Sequence, residues 1–528
     1  MGVARSVLAQ TLESVADLLR YERWEGLLAT LRQALTLTVT RADGVALAQA
    51  MNCVPVERRA LPEWRRLAAR VAYRSGDVTS GEALLDAVGD APGLEAFRAW
   101  VHLERGRYEA ALHSADAALE DVDVALRVRP YAVAMLRRAD WAEVFGASLV
   151  RLEGRQRGLT LMSFGAFLTL HGRDAEARSA YAESLALLRE DAFFVAQVEY
   201  NLAVACLRLD LPNEALTHAL RATRSAASAD GSRFRGRAWS GLGAAQRARE
   251  EWPRALQSYE NAVRLASDAD DRVQAWRGLA MQQRIARQVP EALTALYEVV
   301  HFDPGFTRVW SDIAAAKLQS GDVPGTLEAL ERLGDTSYTE EDARVSVVRA
   351  ELERRAGKTA RALEYLRSPL LTPAVRRDER WCFPELFALL GEDSARLPPM
   401  RVRVTMDGAV RVFVNDLELS PALGQRESSL LACLVEARGY LSTERLLDAL
   451  DLPGRNERLR SQSLSRVAGS LRDALGWDAS VTVERTRRVY RLDPSVIWDP
   501  TYPEPERSDV FCDGLHDRWV EEWRHARL

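Results

Sequence analysis

Along most of the chain, hydrophobic positions recur at helical spacing in segments that come in pairs. From about Trp64 to Leu366 the pairs return every ~35–40 residues. The second member of each opens near a Gly and a polar residue, then reads A-x-x-x-Y-x-x-A or a close variant. The best copies are Gly172-Arg173-Asp174 with Ala177 and Tyr181, then Ala255, Tyr259 and Ala262, then Ala292, Leu296 and Tyr297 closing on Asp303-Pro304. Small residues at i and i+7 or i+8 let two antiparallel helices approach closely, and the aromatic fills the space between neighbouring pairs. Gly or Pro ends each helix so that the chain turns back. No pair can bury its apolar face alone, so stacked pairs sharing one core, an α-solenoid, are expected. The stretch from Asp121 to Gln156 fits the pattern least well.

Near Arg396 the pattern changes. Leu397-Pro398-Pro399 reads as a linker, and Arg401 to Met406 alternates polar and apolar with period two. Asp407-Gly408 between that run and Val410 to Val414 signals a hairpin, and Asp416 to Leu419 supplies a third short strand. Three helical patterns follow: Glu427 to Ala437, a second capped by Ser442-Thr443-Glu444, and Leu459 to Leu475. Val481-Thr482-Val483 and Val489 to Leu492 then frame a basic turn as a second hairpin. The expected fold is mainly α: an N-terminal α-solenoid plus a C-terminal α+β module whose order, strands, three helices, hairpin, is that of a winged helix-turn-helix. The expected divisions are 1–393 for the repeats, 394–400 for a linker, 401–500 for the winged helix, and 501–528 for a tail with one amphipathic helix.

The repeats resemble the tetratricopeptide repeat family, which implies a concave groove that takes a peptide or protein partner.

Composition narrows the function. With 528 residues the chain exceeds one domain, and no apolar run approaches the ~18 residues of a membrane helix, so a soluble cytoplasmic protein without membrane contact is expected. Five cysteines, odd in number and far apart, offer neither a disulfide framework nor a metal clip. The net charge of -5 argues against a chain coated in nucleic acid, so charge is read locally. Between Arg455 and Arg491 nine arginines face four acids, the footprint expected for phosphates.

On the third helix, at 100° per residue, Leu464, Val467, Ala468, Leu471 and Leu475 form the buried stripe. Gln462, Ser463, Ser465, Arg466, Gly469 and Ser470 are left pointing outward. That small polar face suits a groove floor, where Gln pairs with adenine and Arg with guanine.

Residues 401–500 resemble the OmpR-type DNA-binding domain in the form found in SARP-type bacterial regulators. The resemblance rests on Arg426-Glu427-Ser428-Ser429-Leu430-Leu431, on Ser465 to Gly476, and on Tyr490-Arg491-Leu492-Asp493. Phe511 to Arg524 is similar to the start of the bacterial transcriptional activation domain that follows the winged helix in those regulators. Here, unlike in that family, the repeats precede the winged helix, and Val489-Tyr490 replaces its Gly-Tyr. The resemblance implies double-stranded DNA as partner, the third helix as recognition element, and Arg485, Arg487 and Arg488 on backbone or minor groove. It also implies activation, and RNA polymerase as a partner of the loop Leu452-Pro453-Gly454-Arg455. The candidate DNA-contact set is Arg458, Arg460, Gln462, Ser465, Arg466, Gly469, Arg472, Arg485, Arg487 and Arg488.

An enzyme is not expected, nor a cofactor or metal. Ala356-Gly357-Lys358-Thr359 has Leu352 where a phosphate loop needs Gly and no preceding strand. The seven histidines are scattered without ligand spacing, and Ser240-Gly241 lacks the nucleophile-elbow context. Met1-Gly2 with Ser6 meets only the minimal myristoylation pattern. The function expected is a DNA-binding transcriptional regulator whose repeats sense a ligand, peptide or protein by changing shape, by homodimerising or by covering the Arg-rich face. The alternative is a repeat scaffold whose winged helix binds protein.

Overall fold

The computed structural model describes residues 2–38, 40–228, 231–334, 339–369, 371–393, 395–484 and 486–526. It forms two compact units, Met1–Ala238 and Trp239–Leu528. The second unit holds the later repeats together with residues 401–528.

In the first unit, successive helices pack as pairs: Pro62–Ser75 with Val78–Val88, Glu95–Glu104 with Tyr108–Ala117, Gly154–Leu170 with Asp174–Leu188, and Ala192–Arg208 with Pro212–Ala227. Local chemistry sets the turns. Gly76, at φ 70°, ends one helix, and the Asp77 carboxylate accepts from the Ser80 N–H at 3.0 Å to start the next. The poorly fitting stretch is also helical, as Val122–Met135 and Trp141–Arg151. Here a cluster of Trp141, Phe145, Phe164 and Phe167 does the packing that small residues do elsewhere. Helices Gly2–Arg20, Trp24–Thr36 and Arg41–Asn52 precede the expected start of the repeats.

The second unit continues the pairing with Ala269–Ile285 and Val289–Phe302, then Val309–Ser320 and Val323–Leu333, then Thr339–Arg355 and Thr359–Leu366. The small-aromatic motif works as packing geometry requires. Tyr181 in the first unit and Tyr259 in the second are both 2% exposed. A Cβ on Gly165 would lie 2.6 Å from the Tyr181 ring, and one on Gly278 only 2.2 Å from that of Tyr259. In the third copy Leu296, four residues after Ala292, takes the inner place. Tyr297 lies 100° further round the helix and is exposed. Between the pairs, Arg284 and Arg344 converge on the buried Glu379 at 2.8 and 3.1 Å.

The C-terminal module carries β1 (Arg401–Thr405), β2 (Arg411–Val414), β3 (Leu417–Glu418), α1 (Gln425–Glu436), β4 (Tyr440–Ser442), α2 (Thr443–Ala449), α3 (Glu457–Leu475), β5 (Val481–Glu484), β6 (Val489–Leu492), β7 (Ile497–Thr501) and α4 (Arg518–His525). One sheet has the order β3-β2-β1-β7 and the other β4-β6-β5. This is a winged helix-turn-helix with an N-terminal sheet. Two strands lie beyond those the period-two pattern marks. β7 runs parallel to β1 at the sheet edge, where Pro500, lacking an N–H, is tolerated. β4 joins the wing. The loop between β1 and β2 is wider than a two-residue turn: pairing ends at Thr405 and Arg411, and the Met406 and Gly408 amides donate instead to Thr501 and Val510.

The tail belongs to this module's core. Phe511, Cys512 and Val520 are fully buried with Val402, Leu430 and Leu434, and Phe511 stacks on Trp523 with centroids 3.6 Å apart. Asp517 accepts from Ser429 Oγ at 2.6 Å and from the Asp451 N–H at 2.7 Å. Burial in this core pushes the Cys433 thiol up to about 12.

The module rests on the repeats of its own unit through polar contacts. Arg249 donates to the carbonyls of Val414 and Asn415, Trp252 Nε1 donates to the Pro398 carbonyl at 2.9 Å, and the Asp478 N–H donates to Gln257 at 3.2 Å. Arg249 and Arg254 also both pair at 2.6 Å with the buried Glu251.

Candidate nucleic-acid interface

α3 begins where the Asn456 side chain accepts from the Leu459 N–H at 3.0 Å and ends at Gly476, whose φ of 89° permits the left-handed turn. Its apolar stripe, Leu464, Val467, Ala468, Leu471 and Leu475, is buried as the 3.6-residue period dictates. On the other side Arg458, Gln462, Ser465, Arg466 and Ser470 are exposed. Ser463, expected outward, is instead buried: its hydroxyl donates to the Pro453 carbonyl at 2.9 Å and fastens the loop between α2 and α3 onto the helix. Gly469 is half-buried.

Four arginines of the set differ in their freedom. Arg460 is half-buried where the loop at Gly454 crosses it closely. Arg472 is half-buried and spends one guanidinium N–H on the Val481 carbonyl at 3.2 Å, so it secures the start of the wing. Arg487, at the wing turn, is 78% exposed and pairs with Glu484 at 3.3 Å. Such a surface pair is worth about 0–1 kcal/mol, so a phosphate can displace it. Arg488 is exposed at φ 51°, and its carbonyl accepts from both the Thr443 N–H at 2.7 Å and Thr443 Oγ1 at 2.8 Å. The wing is thereby tied to the start of α2. Arg485 lies outside the described residues.

The wing and α3 meet at Tyr490, whose hydroxyl sits 3.4 Å from Ser465 Oγ. This contact sets the outward face of α3 beside the hairpin. One exposed residue joins the wing sheet without having been marked by the charge pattern. Tyr440, 63% exposed on the edge strand β4, has Arg491 as its register partner on β6. The available signal was the break at Arg438-Gly439, both at positive φ, followed by the polar-apolar alternation of a short strand. Among the described residues no group of three or more His, Cys, Asp or Glu is placed to hold a metal ion, and no helix is long and apolar enough to cross a membrane.

No family model matches the chain, and no curated protein matches it. Several solved structures are similar at low identity. A Rap protein complexed with competence and sporulation factor shares 11% identity with a TM-score of 0.40, covering 72% of this chain and 99% of that one. The Rap conjugation gene regulator of plasmid pLS20, in complex with the Phr* peptide, shares 11% with a TM-score of 0.38 over 73% and 98% of the two chains. A tetratricopeptide repeat protein from Parabacteroides merdae shares 13% with a TM-score of 0.31 over 60% and 100%. The helix pairing described above defines the class: a tetratricopeptide-like helical-repeat protein that carries a winged helix-turn-helix module.

Proposed function

We propose that the chain is a non-enzymatic transcriptional regulator, of the OmpR-type and SARP-like kind, that reads double-stranded DNA through α3 and the wing. The observation that carries this reading is the exposed face of Gln462, Ser465, Arg466 and Ser470, lying beside the hairpin that bears Arg487 and Arg488. The contacts between module and repeats use Val414, Asn415 and Asp478, none of which belongs to that face. Gln462 and Arg466 are the base readers, each good bidentate contact contributing about 1–3 kcal/mol of discrimination. Arg458, Arg487 and Arg488 hold phosphates. The exposed Pro453-Gly454-Arg455 is the surface offered to RNA polymerase in activation. The repeats are the sensing half, engaging a ligand, peptide or protein, with dimerisation of the chain as one route of control.

Fluorescence anisotropy with a random duplex at rising salt tests this. Binding should weaken steeply, with a log-log slope of about -0.9 per phosphate neutralised. Binding absent at low salt would favour a scaffold whose winged helix takes a protein.

A further inference from the structure

The first unit holds a cavity of about 720 Å3 that DNA binding does not use. Its size falls within the ~300–1,000 Å3 of small-molecule sites. Its charge is one-sided: Arg41, Arg74, Arg105, Arg127 and Arg155 line it against the single carboxylate of Glu104.

Four of these guanidinium groups have protein partners. Arg41 Nε donates to the Ser75 carbonyl at 3.2 Å, Arg105 pairs with Glu82 at 2.7 Å, Arg127 donates to the Tyr73 hydroxyl at 2.9 Å, and Arg155 pairs with Asp191 at 2.7 Å. Arg74 differs. It is half-buried and makes no hydrogen bond or ion pair among the described residues. Burial, and then the charge of Arg155, lower the proton affinity of Arg74 against the opposing pull of Asp123; burial, and then the charge of Arg233, do the same to Arg41 against that of Asp191. Asp191 and Glu82 already meet Arg155 and Arg105, whereas a half-buried guanidinium without a hydrogen-bonded counter-charge, as at Arg74, favours a bound anion.

The second feature is aromatic. The Phe193 face carries the Arg41 guanidinium at 4.5 Å, and the Phe194 face carries that of Arg155 at 4.9 Å. The rings hold two of the cations in place before any ligand arrives. Tyr73, set edge-on to Trp100 at 5.4 Å, adds a flat wall to the same cavity.

We infer that this cavity binds a small flat-ringed organic anion, its carboxylate or phosphate held by Arg74 with Arg41 and Arg155, its ring against Tyr73 and Phe193. Arg74 supplies a fork of donors that the fold leaves uncommitted, and the aromatic wall selects a ring over a bare inorganic ion. The inference rests on the proposed function only in taking the repeats as the sensing half.

Titration calorimetry on the full chain without duplex tests it, so that failure here and failure of α3 to bind DNA register separately. The probes are AMP as a ringed phosphate and indole-3-acetate as a ringed carboxylate. Adenosine and inorganic phosphate each lack one half of the chemistry, and tetraglutamate stands for an acidic peptide. One ringed anion is expected to bind at least about tenfold more tightly than either half-probe, and Arg74→Met should lose at least about tenfold of that affinity while Arg74→Lys keeps part of it. Without ligand, Arg74→Met should melt no lower than the wild type, since it removes a half-buried charge that no hydrogen-bonded counter-ion meets among the described residues. If Arg74→Met fails to fold, Arg74→Lys and Tyr73→Leu carry the comparison. Binding of neither ringed anion at millimolar concentration, binding of tetraglutamate alone, or affinity indifferent to position 74 would overturn the inference.

Discussion

Arg249 and Asn415 bond to each other in both directions. The Asn415 side-chain amide donates to the Arg249 carbonyl at 2.7 Å, and the Arg249 guanidinium donates to the Asn415 carbonyl at 3.1 Å. One residue ends a repeat helix and the other follows β2, so the exchange holds the winged helix to the repeats at the backbone level. Arg249→Ala is expected to release the module at a cost of about 1.5–3 kcal/mol, the range of hydrogen bonds to a charged group. Trypsin should then cut after the exposed Arg396 faster than in the wild type, with helicity by circular dichroism unchanged. An unaltered cleavage rate would mean that Trp252 and Gln257 suffice.

Arg466 and Arg487 should separate by role. Arg466→Ala is expected to cost about 1–3 kcal/mol at the cognate site and little on random duplex. Arg487→Ala should weaken binding on every sequence and reduce the salt slope by about one. Selecting bound fragments from genomic DNA supplies the cognate site, and equal losses from both variants on both duplexes would reject the assignment.

Glu379 should govern acid stability in the second unit. It is fully buried, which alone would raise its pKa, yet the charges and hydrogen bonds of Arg284 and Arg344 outweigh burial and hold it below the usual carboxylate range. A carboxylate lowered in the folded state stabilises above its unfolded value, about 4.3, and loses that contribution as pH falls through the folded value. Glu379→Gln, which leaves Arg284 buried without its counter-charge, is expected to cost about 3–5 kcal/mol at neutral pH. Denaturant melts at pH 7 and pH 3 check this: the gap between variant and wild type should narrow at the lower pH.

Gly278 is where the backbone of one repeat meets the aromatic of another. Gly278→Ala sets a methyl group against Tyr259 and should cost about 1–3 kcal/mol by overpacking. In a Tyr259→Leu background, which copies the natural Leu296, the same substitution should cost less. A double-mutant cycle by urea unfolding measures the coupling, and additive losses would show that the two residues do not compete for the space.

The arrangement of apolar positions by itself determined the helix pairs, the two hairpins and the buried stripe of α3, because these follow from periods of 3.6 and 2 that each segment carries internally. The inner place of Tyr181 and Tyr259 was equally legible, and the same spacing rule, followed strictly, selects Leu296 over Tyr297. The local excess of arginine near α3 was readable as charge. Which arginines remain free was not: Arg472 is spent on the Val481 carbonyl and Arg487 pairs with Glu484 through bonds that form only when the hairpin closes. Tertiary structure alone decided that Ser463 turns inward to Pro453, that β7 adds to β1 across ninety residues of chain, and that Phe511 and Val520 complete the winged-helix core. It alone brought Arg41, Arg74 and Arg155 around one cavity. Local periodicity specifies which face of an element is buried, whereas the partner of that face is chosen by packing among segments distant in sequence, whose contacts leave no periodic trace.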